Sequence, residues 1–274
     1  MASNEFRIVI TACVYNVGRY LEKNINKLLE IRSMFHNDSA IVIAENDSTD
    51  NTKQILKKFT NNINTCNKIH VLNLDGLMQQ CPVRTERLAV VRNTLLNHVH
   101  ENFSTYDYMI IVDMDDVLNE FNPKDIEKCF KVPLHLWDAM FANTRTKYYD
   151  IWALRSKELG ITYDCWDMFA HLCQNGITPN EAKNLTVRIW QKELPRKKPI
   201  RVESAFGGVG VYRISKTIGC EYNGKITECS CNLPGQCRQD TCEHVAFHRD
   251  MIEKNQAKLY IHPLLFVSAP NEHI

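Results

Sequence analysis

At 274 residues and 44% apolar, the chain is long enough for one large domain with a sizeable core. A formal net charge of +1 gives no support for nucleic-acid binding or for an anionic membrane surface as partner. The first six residues carry neither the basic region nor the apolar run of a signal peptide, and no stretch approaches transmembrane length, so a soluble, cytoplasmic protein is expected.

Residues 6–13 are apolar and β-rich and predict a first buried strand. A turn over 15–19 precedes Leu21, Ile25 and Leu28, which recur at helical spacing. Residues 40–44 predict a second buried strand that ends in Glu45-Asn46-Asp47-Ser48-Thr49-Asp50-Asn51-Thr52. Ser48, Thr49 and Asp50 are available there to cap a helix carrying Ile55, Leu56 and Phe59. A third strand over 69–74 follows, then a loop over 75–82 punctuated by Gly76 and Pro82. A helix over 84–99 has Leu88, Val91 and Leu95 on one face and leads to a fourth strand. The order β-α-β-α-β-α-β predicts a parallel sheet with right-handed crossovers. No Gly-x-Gly-x-x-Gly follows the first strand and no Walker loop is present, which argues against the usual dinucleotide and P-loop sites.

The fourth strand, Tyr108-Met109-Ile110-Ile111-Val112, ends abruptly in Asp113-Met114-Asp115-Asp116. Asp113 and Asp115 are two residues apart, so in extended backbone they point to one side. Adjacent carboxylates repel, and hard oxygen ligands suit Mg²⁺ or Mn²⁺, which also bridges phosphates. The end of a buried parallel strand is where open α/β sheets place ligands. A metal–diphosphate site is one reading, and a plain strand end with solvated acids is another. A third is a phosphatase of the haloacid-dehalogenase type, with Asp113 as nucleophile; against it, three strand–helix units precede the motif and no Gly-Asp acidic motif follows.

Beyond this point Asn122-Pro123 opens a short helix. Residues 139–143 predict a further strand, and Thr178-Pro179-Asn180-Glu181 resembles a capping box that starts a helix to about residue 192. Three glycines fall within four residues at Gly207-Gly208-Val209-Gly210, and residues 259–263 form a last strand end. No repeat or low-complexity linker divides the chain, so a single domain is expected. Six of the eleven cysteines, among them Cys13, Cys129 and Cys173, lie in apolar segments and read as small buried residues. The other five, Cys220, Cys229, Cys231, Cys237 and Cys242, crowd into a C-terminal insert, where zinc with His244, disulfides and free thiols all remain open.

Five elements in order carry a family resemblance: Glu45-Asn46-Asp47-Ser48-Thr49-Asp50-Asn51-Thr52, Arg84-Thr85-Glu86-Arg87-Leu88-Ala89-Val90-Val91-Arg92-Asn93, Asp113-Met114-Asp115, Ala205-Phe206-Gly207-Gly208 and Cys242-Glu243-His244. The set resembles GT-A-fold nucleotide-sugar glycosyltransferases, and more narrowly the capsule-associated mannosyltransferase-like family and its large-DNA-virus relatives. The resemblance implies an α/β fold, a Rossmann-like, mostly parallel sheet flanked by helices. Residues 1–116 would form the nucleotide-binding half and 117–274 the acceptor-binding half.

It also implies site roles. Asp113 and Asp115 match the metal- and diphosphate-binding pair, with Mn²⁺ or Mg²⁺ as cofactor. Thr11, Glu45 and Asp47 match positions that contact base and ribose, although Glu45 and Asp47 would equally serve a turn and the next helix cap. Arg84, Arg87 and Arg92 match a helix that approaches the nucleotide; Arg84 and Arg87, three apart, could share a face, and Arg92, five from Arg87, need not. Gly207 and Gly208 match the loop lining donor sugar and acceptor, with Trp152 and Arg155 as further sugar-side candidates. Glu243 matches the catalytic carboxylate of inverting enzymes, with Asp116 or Asp164 as the fallback. His262, or else His244, matches a C-terminal metal ligand. The implied partners are a UDP- or GDP-sugar donor and a hydroxyl on a glycan or other acceptor. A non-catalytic nucleotide-sugar binding module would share much of this pattern.

Overall fold

The computed structural model describes residues 3–225 and 240–269. Its eight strands are β1 Ile8–Val14, β2 Ala40–Glu45, β3 Ile69–Asn73, β4 Tyr108–Val112, β5 Ala139–Thr144, β6 Ile200–Val202, β7 Val209–Arg213 and β8 Leu259–Val267. They form one sheet in the order β3-β2-β1-β4-β7-β5-β8-β6. The helices are α1 Gly18–Ser33, α2 Thr52–Thr60, α3 Leu77–Gln80, α4 Arg84–Asn102, α5 Glu127–Lys131, α6 Cys165–Gln174, α7 Pro179–Lys183 and α8 Glu243–Asn255.

The first four strands are parallel neighbours, as the alternation of strands and helices demands. β2 and β4 are buried along their whole length, because helices cover both faces of the sheet. On one face Leu21, Ile25, Leu28 and Ile31 of α1 pack with Ile8, Ile10, Ile41 and Ile110. On the other, Ala89, Leu95 and Val99 of α4 and Phe247 and Met251 of α8 pack with Val9, Val42, Met109 and Ile111. Alternate strand residues thus serve opposite layers.

The second half departs from simple alternation. β7 enters antiparallel between β4 and β5, while β5 and β8 run parallel and β6 is an antiparallel edge. The antiparallel entry lays the start of β7 against the end of β4, pairing Val209 with Val112. This sets the glycines before β7 beside the aspartates after β4.

Three local expectations change. β8 does not end at Pro263; it continues to Val267 through a register shift against β5, and a proline fits such an irregularity because no ladder N–H is needed there. The helix capped by Thr178 does not reach residue 192; α7 gives way to a π-helical turn, Asn184–Arg188, where the Thr186 hydroxyl donates to the Ala182 carbonyl at 2.9 Å. Of the cysteines named above as buried, Cys129 is buried, whereas Cys13 and Cys173 are partly exposed. Cys220 and Cys242 are buried free thiols, and Cys229, Cys231 and Cys237 lie outside the described residues. Among the described residues no helix is long and apolar enough to cross a membrane.

The largest fully buried side chain, Trp137, stacks on Tyr108 at 5.6 Å and meets Phe130 edge-on at 5.9 Å. Trp137→Ala is expected to cost roughly 3–5 kcal/mol of stability. Urea denaturation checks this, and a loss below about 1 kcal/mol would mean that the cluster does not anchor the fold.

Candidate active site

A cleft of about 420 Å³ opens where β1 and β4 end, walled by α4, the 149–152 loop, the start of α6 and the start of α8. Its position follows from the sheet: the carboxyl ends of parallel strands leave a crevice that no crossover helix fills.

The floor is the turn after β4. Asp115 accepts the Val117 N–H at 3.0 Å, and its own carbonyl accepts from Asn24 Nδ2 of α1 at 2.9 Å. Asp113 donates its N–H to the Gly208 carbonyl at 2.8 Å. Gly208 has φ +82°, and a Cβ there would lie 2.7 Å from Val117 Cγ2. Gly207, at φ +67°, donates its N–H to Asp150 Oδ2 at 2.8 Å. The glycine pair therefore holds two acidic segments in place by backbone contact that a side chain would block.

Arg92, 6% exposed, sits behind this floor. Its Nε lies 2.9 Å from Glu243 Oε1 and its Nη2 3.2 Å from Asp113 Oδ1. Its guanidinium lies over the rings of Phe206 and Tyr222, at 5.2 and 5.9 Å. Glu243 is the first residue of α8, where the helix dipole favours a carboxylate. Around Asp113, burial raises the carboxyl pKa most; Arg92 opposes, and Asp115, Asp150 and Glu243 add like charge, with the result at about 7. Around Asp113 the carboxylates outnumber Arg92 and leave an anionic floor, while Arg84 and Arg87 also line the cleft. The floor's hard oxygen donors fit a divalent cation.

The cleft brings together Asp113, Asp115, Glu243, Arg84, Arg87, Arg92, Trp152 and His244 among the residues singled out by sequence. Arg87 also donates to the carbonyls of Cys81 and Pro82, fixing the approach to α4. Gly207 and Gly208 lie behind the wall and position it; Phe206 forms the wall itself.

Several expected residues are elsewhere. Thr11 is mid-strand, between Val42 and Ile111, and buried; Tyr15 and Cys13 line the cleft instead. Glu45 accepts the Ser48 N–H at 2.8 Å, and Asp47 accepts those of Gly76 and Met78 at 2.6 and 2.7 Å. Both order loops outside the cleft, while Asn46 between them lines it. Arg155 pairs with Asp164 at 2.8 Å and donates to the Trp152 and Leu154 carbonyls, so it braces the loop that carries Trp152. Asp164 is further engaged by Trp152 Nε1 and caps α6, and neither it nor Asp116 lines the cleft. His262 accepts the Leu264 N–H at 3.2 Å beside Lys128 and Asp125, because its strand turns it to the α5 side; it does not line the cleft.

Asp150 escaped the sequence reading, because it lies within an aromatic stretch with no motif around it. Arg92 is expected on the helix that approaches the nucleotide, and its place in the cleft follows from positions 84, 88 and 92 stepping by whole helical turns and sharing a face. Among the described residues no three His, Cys, Asp or Glu side chains already form a metal cage.

A family model described as Cryptococcal mannosyltransferase 1 matches residues 7–254. No curated protein matches the sequence. The fold is similar to that of S. aureus TarS residues 1–349, with TM-score 0.51, 12% identity, and 95% of this chain and 59% of that chain covered. It is similar to the mannosyltransferase PcManGT from Pyrobaculum calidifontis, with TM-score 0.52, 11% identity and coverage of 97% and 58%. It is also similar to glucosyl-3-phosphoglycerate synthase from Mycobacterium tuberculosis, with TM-score 0.50, 11% identity and coverage of 97% and 72%. The chain thus spans less than two thirds of TarS residues 1–349 and of PcManGT. These likenesses are of fold, and the family match runs through every element of the cleft; the chain belongs to the Cryptococcal mannosyltransferase 1 family and has the α/β fold of the GT-A glycosyltransferases.

Proposed function

We propose that the protein is a metal-dependent glycosyltransferase that moves a sugar from a UDP- or GDP-linked donor to a hydroxyl of a glycan or other acceptor. The observation that carries this reading is the ion chain Asp113–Arg92–Glu243 at the cleft floor, which ties a metal-type carboxylate to a base-type carboxylate through one guanidinium. Family membership supports it, as do PcManGT solved with GDP-Man and Mn²⁺, and TarS solved with UDP-GlcNAc.

Asp113 and Asp115, with Asp150 beside them, would hold Mn²⁺ or Mg²⁺, whose charge would offset that building on the leaving diphosphate. Arg84 and Arg87 line the cleft from α4 and suit the donor's phosphates, with Tyr15 and Asn46 on the nucleoside side. This assigns donor binding mainly to residues 1–116 and acceptor binding to the remainder. Trp152 and Trp166 offer faces for a sugar ring.

Glu243 is the proposed base. Arg92 pairs with it and fixes its direction. The acceptor hydroxyl gives its proton to Glu243 as its oxygen bonds the anomeric carbon and the bond from that carbon to the diphosphate oxygen breaks. A single displacement of this kind inverts the anomeric centre. The phosphatase reading of Asp113 is not retained, since the motif lies on the fourth strand of a chain whose family is another.

Three outcomes are expected. With Mn²⁺, either UDP or GDP raises the melting temperature of the protein, and Asp115→Ala weakens that nucleotide's apparent affinity by at least about tenfold; a shift with inorganic phosphate alone would favour the phosphatase. Glu243→Gln keeps the nucleotide shift and lowers transfer by about 10²–10⁴-fold; normal turnover in this variant would remove Glu243 as the base. The third concerns pH. Asp113 binds its proton more tightly in the folded chain, near 7, than at the ordinary 3.8. The ligand-free fold therefore loses stability from this group as pH rises from the unfolded value towards 7. A cation needs the carboxylate, so Mn²⁺ binding should be weaker at about pH 6 than at about pH 8, and calorimetric titrations with equal affinities would contradict it.

A further inference from the structure

Helix α8 carries two buried histidines one turn apart, and only one is satisfied. His248 has Nδ1 2.9 Å from Ser204 Oγ and Nε2 3.1 Å from the Tyr212 hydroxyl. Each hydroxyl donates or accepts, so a neutral imidazole is matched there in either tautomer. His244 is 2% exposed, yet neither Nδ1 nor Nε2 has a hydrogen-bond partner among the described residues. Glu243 Oε1 stands 3.8 Å from Nε2, outside hydrogen-bond range, and is already engaged by Arg92.

The ring is held by its faces. It stacks on Phe206 with centroids 4.1 Å apart and meets Tyr222 edge-on at 5.5 Å. Burial, then the positive charge of Arg92, keeps its pKa well below the ordinary histidine value, so the ring is neutral. It lines the same cleft as Asp113, Asp115 and Glu243. An apolar side chain would fill this slot without burying two orphaned polar atoms. A neutral imidazole offers one donor and one acceptor, which matches hydroxyl groups. A phosphate only accepts. A metal-bound histidine usually gives its other N–H to a carboxylate or carbonyl, and His244 has no such partner.

We propose that His244 is a sugar-binding residue whose ring nitrogens, closed to solvent in the ligand-free chain, hydrogen-bond pyranose hydroxyls beside Glu243 once a small shift of the ring against Phe206 opens them to the cleft. The inference rests on the glycosyltransferase reading and deepens it. The hydroxyl belongs either to the donor sugar or to the acceptor glycoside, and the chemistry is the same for both.

The test compares the full wild-type chain with His244→Phe, which keeps the stack and removes both nitrogens, and His244→Gln, which restores a donor and an acceptor. Thermal-shift titrations with Mn²⁺ use UDP, UDP-glucose, GDP and GDP-mannose, and then methyl α-mannoside on the nucleotide complex. His244→Phe should melt at or above the wild-type temperature without ligand and keep the Mn²⁺-dependent nucleotide shift. It should lose about tenfold in affinity for the sugar-bearing ligand, and Gln should recover part of that loss. A loss confined to nucleotide sugars assigns the ring to the donor, and one confined to the glycoside assigns it to the acceptor. Unchanged sugar affinity in His244→Phe overturns the proposal whatever the melting temperature. So does loss of the Mn²⁺-dependent nucleotide shift, which would make His244 a metal ligand. If the wild type binds no nucleotide with Mn²⁺, the glycosyltransferase reading fails first and this inference falls with it.

Discussion

A single buried guanidinium holds the site together. Arg92 comes from α4, Asp113 from the end of β4 and Glu243 from the start of α8, and the outer two carboxylates are 130 residues apart in the chain. Removing water from three charges is costly, and an arrangement of this kind persists only when each charge finds its partner. The ion chain therefore demands that three elements arrive in register. Tyr222 and Phe206 exclude solvent around the guanidinium, which strengthens its hold on both carboxylates. Asn93, the next residue on α4, exchanges two hydrogen bonds with the Tyr222 backbone, so the same helix fixes the aromatic cover as well as the charge.

The sheet makes this meeting possible through one of its two antiparallel strands. Had the strands continued in simple parallel alternation, the fourth strand would have a parallel neighbour and a crossover helix over its end. The antiparallel β7 instead delivers a tight glycine turn to the end of β4. Gly207 and Gly208 have positive φ and no room for a Cβ, and they bond Asp150 and Asp113 through backbone atoms. The acidic turn is thus held by main chain from one side and by Asn24 of α1 from the other. The carboxylates are left lining the cleft, and the charges of Asp115, Asp150 and Glu243 add to burial in raising the proton affinity of Asp113. That repulsion is what a divalent cation would relieve.

The neighbourhood of Glu243 shows how stability and chemistry divide along one helix. His248 completes a closed set with Ser204 and Tyr212 and belongs to the core. His244, one turn nearer the cleft, carries the orphaned nitrogens. Local polar dissatisfaction on a cleft wall is a feature that folding alone does not select, because an apolar residue of similar shape would be at least as stable there.

Local chemistry made part of this legible in the sequence. Short apolar runs such as 108–112, of strand length and rich in β-branched and aromatic residues, read as strands buried on both faces, and helical spacing at Leu21, Ile25 and Leu28 gave a covering layer, so the four-strand parallel half was readable. The Asp113-Met114-Asp115 pair was readable for the same reason, since charge following a buried strand has to surface at its end. What only the tertiary structure decided was which polar residues meet. Thr11, Glu45, Asp47, Arg155 and His262 have the right chemistry, yet strand register and loop hydrogen bonds direct them elsewhere. Arg92, Asp150 and His244 reach the cleft through contacts between segments far apart in the chain, and no local pattern encodes a distance across the fold. Periodicity reports which face of an element is buried; the partner on that face is set by packing.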